Sequence, residues 1–240
     1  MFIFATFIGI YAYIIFALGI LGLIYKPLII SLTVIFWGSF LLWKRQELWQ
    51  GIKKIKLGII GLLIVLQALI NLIGVFGPER GFDALWYHLT LPKLYLLSHS
   101  IFFIPGGLLY YSAMPKLAEM LYVAGLSFGT EQFPKLIHYT FGLLSCLALY
   151  KLQRKFFRPL IATLGVIIFY SNLVVGWESS SAYIDLIRTF FEVMALWGFV
   201  NWWEKQRRIW FIASAIMVGL AITTKLLAVA SLVIFSCILL

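Results

Sequence analysis

The stretch LGIIGLLIVLQALINLIGVF, residues 57–76, holds no charged side chain in twenty positions. An α-helix rises about 1.5 Å per residue, so a run of about 20 apolar residues matches the hydrocarbon core of a bilayer. The next stretch, GFDALWYHLTLPKLYLL (81–97), sets Asp83 and His88 among Trp86, Tyr87 and Tyr95. Charge is costly in hydrocarbon and aromatic rings favour its boundary, so the pair reads as a spanning helix that emerges into an interface.

Composition extends that reading to the whole chain. The 240 residues are 63% hydrophobic and 12% charged, with a mean hydropathy of +1.01. A soluble domain is nearer half apolar and a quarter charged. Continuous apolar runs, rather than short alternating segments, exclude a β-barrel and predict an all-α, polytopic membrane protein. Eight runs are long enough to consider, at 2–25, 28–43, 57–76, 135–152, 159–175, 184–203, 210–224 and 226–240, giving seven or eight transmembrane helices. The first run lacks a basic amino-terminal region and a small-residue cleavage site, so it reads as an uncleaved helix rather than a signal peptide. Cys146 and Cys237 lie inside apolar runs and read as packing residues.

Two segments follow from this division. Residues 1–56 hold two amino-terminal helices and a basic connection, and residues 57–240 hold the main transmembrane module, with its first outer loop at 77–134. Five of the seven prolines fall in that loop, together with the Gly106-Gly107 pair, which predicts short amphipathic helices on the outer face. Segment 118–128 then re-enters or lies on the membrane without crossing it.

The basic residues orient the chain. The connections at 44–56, 151–158 and 204–208 hold twelve of the nineteen Lys and Arg residues against only Glu47 and Glu204, so they carry the whole net charge of +10. One topology puts all three in the cytoplasm, with a cytoplasmic amino terminus. That rule accounts for the charge without a nucleic-acid partner. It also sets 77–134 and 176–183 on the outer face, where Asp83, Glu178 and Asp185 converge.

These acids are the candidates for chemistry. Asp83 is placed to cap the helix-compatible run ALWYHL, and a carboxylate there also suits a general base. His88 lies five residues on, about 140° around an ideal helix, so it does not share a face with Asp83. His99, in a polar triplet, and His138, at the start of a span, read as structural. In GWESSSAYIDLIRTFFEV (176–193), Asp185, Arg188 and Glu192 share one helix face, either as a self-satisfied set or with Asp185 completing a site with Asp83. Lys225 interrupts two apolar runs and suits a phosphate as a point charge. Lys116 and Glu119 are spaced for an i,i+3 pair. No glycine-rich nucleotide loop occurs, which points away from a soluble nucleotide donor.

The order of these motifs resembles a known superfamily. DALWYHLTLPKLYL (83–96), YYSAMPKLAEMLY (110–122), AYIDL (182–186) and TTKL (223–226) follow one another as in bacterial GT-C glycosyltransferases, nearest the protein mannosyltransferase-like and aminoarabinose-transferase-like group. The resemblance spans roughly residues 57–230. It implies a sugar passing from a polyprenyl-phosphate carrier to a glycan, lipid or protein acceptor, with inversion, on the outer face of a bacterial cytoplasmic membrane. It places Asp83 as the catalytic acid of the first outer loop, Asp185 as a second acid near the site and Lys225 near the donor phosphate. His88, Arg80 and Glu178 join them as substrate-binding candidates. A divalent cation, Mg or Mn, is compatible with converging acids, with Asp83 and Asp185 as its ligands. The chain departs from its relatives in having Ala84 where many carry a second acid, and in its two extra helices before the usual first span. It also stops at Leu240 within an apolar run, so it reads as an amino-terminal fragment. The alternatives are a transporter or flippase-like protein, with Asp185 and Arg188 as a gating pair, or a non-catalytic membrane fragment.

Overall fold

The computed structural model describes residues 1–53 and 58–239, and every regular element among them is helical. The end of the basic connection (Lys54–Lys56), the first residue of the 57–76 run and the final Leu240 lie outside the described residues. Eleven α-helices of four residues or more occur in the described chain: α1 Phe2–Ile20, α2 Lys26–Lys53, α3 Ile59–Phe76, α4 Thr90–Ser98, α5 Leu117–Ser127, α6 Gln132–Gln153, α7 Pro159–Tyr170, α8 Leu173–Glu178, α9 Asp185–Lys205, α10 Arg208–Thr224 and α11 Val229–Leu239.

Each apolar run therefore becomes a helix, but the lengths differ from the sequence expectation. The first helix ends at Ile20, where the chain turns through Gly22 in a left-handed conformation (φ +72°). The second runs on to Lys53, so the described part of the first basic connection is helical rather than a loop. The fifth run breaks at Ser171–Asn172, where Asn172 accepts from the Val174 N–H at 3.0 Å and starts α8. By length and composition, two helices among the described residues suffice to cross a membrane, Phe2–Ile20 and Lys26–Glu47. The helices Ile60–Phe76, Pro159–Tyr170, Arg208–Thr224 and Leu226–Leu239 are apolar but shorter. Helices α6 and α9 have the length, at 22 and 21 residues, but carry charged side chains. The expected count of seven or eight spans thus reduces, on these criteria, to an all-helical chain with two full-length candidates.

The bundle separates two chemically different ends. At one end Phe2 packs on Trp197 and Trp210, and the Met1 amine lies in electrostatic reach of Lys151, Glu47 and Lys44. There Lys155 Nζ also donates to Asn201 Oδ1 and Glu204 Oε2, each at 2.5 Å. The described basic connections thus meet on one side. At the other end the loop after α4 returns to α1, with the Ile101 N–H donating to the Gly19 carbonyl at 2.9 Å. Lys135 Nζ closes α3 there by donating to the carbonyls of Gly77 at 2.7 Å and Gly74 at 3.2 Å.

Helix α5 sits inside this second end. All eleven of its residues are buried, against α1, α4, α6, α2 and α10. At about 1.5 Å per residue it is about 16 Å long, about half the hydrocarbon thickness. It is a buried prop for the loops around it.

Helices α9 and α10 form the closest hairpin. Gln206 turns the chain at φ +51°, and Ser214 Oγ donates to the Ala195 carbonyl at 2.8 Å. A Cβ on Gly198 would meet Ser214 N at 3.0 Å and Cα at 3.1 Å, both backbone atoms that cannot swing aside. Gly198→Val is expected to destabilise the protein by about 1–3 kcal/mol through overpacking, read as a lower apparent thermal midpoint in detergent. An unchanged midpoint would contradict this packing.

Candidate functional site

The site begins with a buried carboxylate that the sequence reading passed over. Glu79, 8% exposed, follows Pro78 at the end of α3. Its Oε1 accepts from the N–H groups of Arg80 at 2.8 Å and Gly81 at 2.7 Å, and from Ser181 Oγ at 2.7 Å. Its Oε2 accepts from the Ala182 N–H at 2.7 Å. A carboxylate surrounded by donors can be buried at tolerable cost, and each such charge-assisted bond is stronger than a neutral one. Glu79 thereby joins two segments a hundred residues apart, the start of the first loop and the loop before α9. The approach is so close that a Cβ on Gly81 would strike the Tyr183 ring and Ser181 Oγ.

Beyond that junction the chain makes a π-turn, Ala84–His88, closed by the Leu89 N–H donating to the Ala84 carbonyl at 2.9 Å. Asp83 has helical backbone angles and makes no side-chain capping bond, so it is not the N-cap that the sequence suggested. The i→i+5 turn is wider than the α-helix that sets the expected 140° offset, yet the Asp83 and His88 side chains still diverge; such turns are frequent at functional sites. Asp83 is half-buried. The Tyr87 and Tyr183 hydroxyls lie beside Asp83, within electrostatic reach of its carboxylate. Burial first, and then the Asp83 charge, hold the Tyr87 phenol well above its ordinary range.

His88 points the other way. It is 1% exposed, and its Nδ1 lies 3.0 Å from Glu119 Oε1 on α5. It stands behind Tyr87, with ring centroids 4.2 Å apart, rather than on a surface open to a substrate phosphate. Glu119 is thus committed to His88 and not to Lys116, whose Nζ donates instead to the Tyr111 carbonyl at 3.1 Å. Arg80 is exposed at the rim.

The second half of the site is an ionic ladder at the start of α9. Helix α10 stops at Thr224, and Lys225 adopts an extended conformation (φ −149°, ψ 125°). This break sends Lys225 Nζ to both oxygens of Asp185, at 2.8 and 2.9 Å. Arg188 lies 3.7 Å from Asp185 and 3.4 Å from Glu192, and Glu192 accepts from Ser231 Oγ at 2.6 Å. The self-satisfied set that the i,i+3,i+7 spacing allowed is therefore present, with Lys225 added. An ammonium has three N–H donors, so Lys225 keeps one beyond the two given to Asp185. Beside Lys225, between α1, α10 and the loop after α4, lies a cavity of ≈ 630 Å³ lined by Phe16, Phe102, Met114, Lys116, Thr223 and Leu226 among others. Burial lowers the pKa of Lys116, with Glu119 opposing the shift.

A divalent ion on Asp83 and Asp185 does not fit this donor set. Both Asp185 oxygens are occupied by an ammonium, and among the described residues no three His, Cys, Asp or Glu side chains gather as ligands.

The structure brings Asp83, Asp185, Lys225 and Glu178 to one end of the bundle. Their junction is Tyr183, which lies beside Asp83 and precedes Asp185 by two residues. The hydroxyl of Tyr122, from α5, donates to the Tyr183 carbonyl and fixes that junction from below. Glu178, at the end of α8 rather than in a loop, lies in electrostatic reach of Asp185, Lys225 and Arg188. Glu79 carried one faint sequence signal, an acid three residues after the uncharged run. Nothing in the sequence disclosed its partners.

Glu178 supplies a pH test. Burial, followed by the nearby Asp185, raises its pKa from 4.5 to about 7, against Lys225 and Arg188. The unfolded carboxyl ionises first, so between about pH 4.5 and 7 the unfolded state binds fewer protons and stability falls as pH rises. Glu178→Gln removes that fall. Its apparent thermal midpoint is expected to exceed the wild type's near pH 8 and to equal it near pH 4.5, and an equal gap at both values would contradict the assignment.

Comparison with known proteins adds the identity of this end of the chain. No curated protein and no solved structure matches it. Residues 117–240, just over half of the chain, match the family model of dolichyl-phosphate-mannose-protein mannosyltransferase. The match includes Glu178, Asp185 and Lys225 and begins after Asp83 and Glu79. On that match, over a helical chain with spans apolar enough for a bilayer, the protein belongs to the dolichyl-phosphate-mannose-protein mannosyltransferase family, whose members are membrane glycosyltransferases.

Proposed function

We propose that this glycosyltransferase takes a sugar from a polyprenyl-phosphate carrier and transfers it, with inversion, to a hydroxyl acceptor on the outer face of a bacterial cytoplasmic membrane. The observation that carries the reading is the presence of two unlike groups at one end of the bundle. Asp83 presents a half-buried carboxylate, and Lys225 presents an ammonium oriented by Asp185.

In the proposed reaction the acceptor hydroxyl oxygen attacks the anomeric carbon as Asp83 takes its proton. The bond from that carbon to the phosphate oxygen breaks on the opposite side, and polyprenyl phosphate leaves with the electron pair. The remaining N–H of Lys225 offsets the charge that develops on the phosphate, an effect strengthened where water is scarce. Asp185 keeps Lys225 in place, so its role is to position the ammonium. The Tyr87 hydroxyl lies beside the Asp83 carboxylate. An apolar cavity with Lys116 at its wall suits a prenyl chain with an anionic head. The membrane disposition of the reading is seven or eight helices with the basic end in the cytoplasm, supported by the gathering of the basic connections away from Asp83.

The test is transfer by the full chain in nanodiscs, offered a panel of polyprenyl-phosphate hexoses and pentoses and read as release of polyprenyl phosphate. General-base catalysis contributes about 10²–10⁴-fold, so Asp83→Asn is expected to lower kcat at least about 100-fold while the protein stays folded in the membrane. Wild-type turnover by that variant would overturn Asp83 as the base.

A further inference from the structure

The π-turn does more than display Asp83. It lays Tyr87 flat against Tyr111, with ring centroids 4.0 Å apart and planes 5° from parallel. Tyr110 stacks on the other side of the neighbouring ring at 4.3 Å and 27°. Trp86 braces the stack edge-on, 4.9 Å from Tyr111, and is itself met by Phe82 at 5.1 Å. The three tyrosines come from two segments, the π-turn and the 3₁₀ turn Gly107–Ala113, so the stack is a tertiary arrangement and not a local accident.

Its polar edge lies near the reacting carboxylate. The Tyr110 and Tyr111 hydroxyls are neighbours, and both Tyr111 and Tyr87 lie in electrostatic reach of Asp83. Tyr110 is 46% exposed, so one ring is open to a ligand while the rings behind it are supported. An aromatic ring that only anchors a chain at the bilayer boundary needs no partner ring and no hydroxyls beside an acid. A flat apolar face edged with ordered hydroxyls matches a sugar ring, which has an apolar C–H face and a rim of hydroxyls.

We propose that Tyr110, Tyr111 and Tyr87 form a saccharide subsite that seats the acceptor against Asp83, so that the acceptor is a glycan rather than a polypeptide. This rests on the transferase reading above for the word acceptor, but not for the binding. The Tyr110 face takes the ring, and the hydroxyl edge turns one sugar hydroxyl toward the Asp83 carboxylate.

The experiment separates the two. Full-length protein is reconstituted in nanodiscs free of sugar-headed detergents, and maltose, mannobiose and galactobiose are offered without donor, with binding read by saturation-transfer NMR. At least one disaccharide is expected to bind, about tenfold more weakly to Tyr110→Ala and with near wild-type affinity to Tyr110→Phe, which keeps the stack. Asp83→Asn should still bind it, showing that the subsite is formed without the base. With a polyprenyl-phosphate donor present, Tyr110→Ala should raise the KM for the saccharide and leave the KM for the donor unchanged. Equal binding by wild type and Tyr110→Ala, a rise in the donor KM alone, or binding of a Ser/Thr-rich peptide in place of every saccharide would overturn the proposal. Saccharide binding without any transfer by the wild type would leave the subsite standing and count against the transferase chemistry instead.

Discussion

Four hydrogen bonds to one buried carboxylate hold the site together. Glu79 accepts from Arg80, Gly81, Ser181 and Ala182, and so ties the start of the first loop to the loop before α9. The geometry of everything beyond depends on it. Gly81 approaches the 181–183 loop too closely for a side chain, the π-turn starts two residues later, and Tyr183 lies beside Asp83. A charge buried at this position stabilises only while its donors stay in place, so it also penalises any arrangement in which the two loops part.

The supporting layer also encloses polar groups. Helix α5 is buried along its whole length yet carries Glu119, whose Oε1 meets His88 Nδ1 while its Oε2 has no hydrogen-bond partner, and Tyr122, which donates to the Tyr183 carbonyl. On the other side, Lys225, Asp185, Arg188 and Glu192 alternate in sign, and the ladder costs less than any one of them alone in an apolar bundle. These two networks leave Asp83 half-buried between tyrosines, and Lys225 with a donor to spare.

Much of this was legible in the sequence because hydrocarbon is a strict solvent. Twenty uncharged residues at 57–76 have few alternatives to a helix, and the partition of basic residues onto three connections is a simple count. The asymmetry of charge likewise points Asp83, Glu178 and Asp185 toward one end. What escaped depends on geometry that periodicity does not encode. An ideal-helix wheel separates Asp83 from His88, and the structure keeps them apart, but the wheel does not disclose the π-turn that carries them. The i,i+3 spacing of Lys116 and Glu119 suggests a pair, but a histidine thirty-one residues away takes the glutamate. Asp185 was readable as charged and near the membrane, whereas its capture by Lys225, forty residues on, needed the break at the end of α10. Glu79 escaped because three of its four donors are backbone N–H groups, which every sequence has, and the fourth, Ser181 Oγ, lies a hundred residues away.

The most direct test of this account is a double-mutant cycle across the Glu79 junction. Glu79→Ala, Ser181→Ala and the double variant are compared with the wild type in nanodiscs by apparent thermal midpoint, since Ser181 Oγ donates to Glu79 Oε1 at 2.7 Å. Residues in direct contact couple by about 0.5–3 kcal/mol, and distant ones add. The account predicts that the double variant loses clearly less than the sum of the two single losses. Strictly additive losses would show that the first loop and the start of α9 do not meet through Glu79, and would contradict the site.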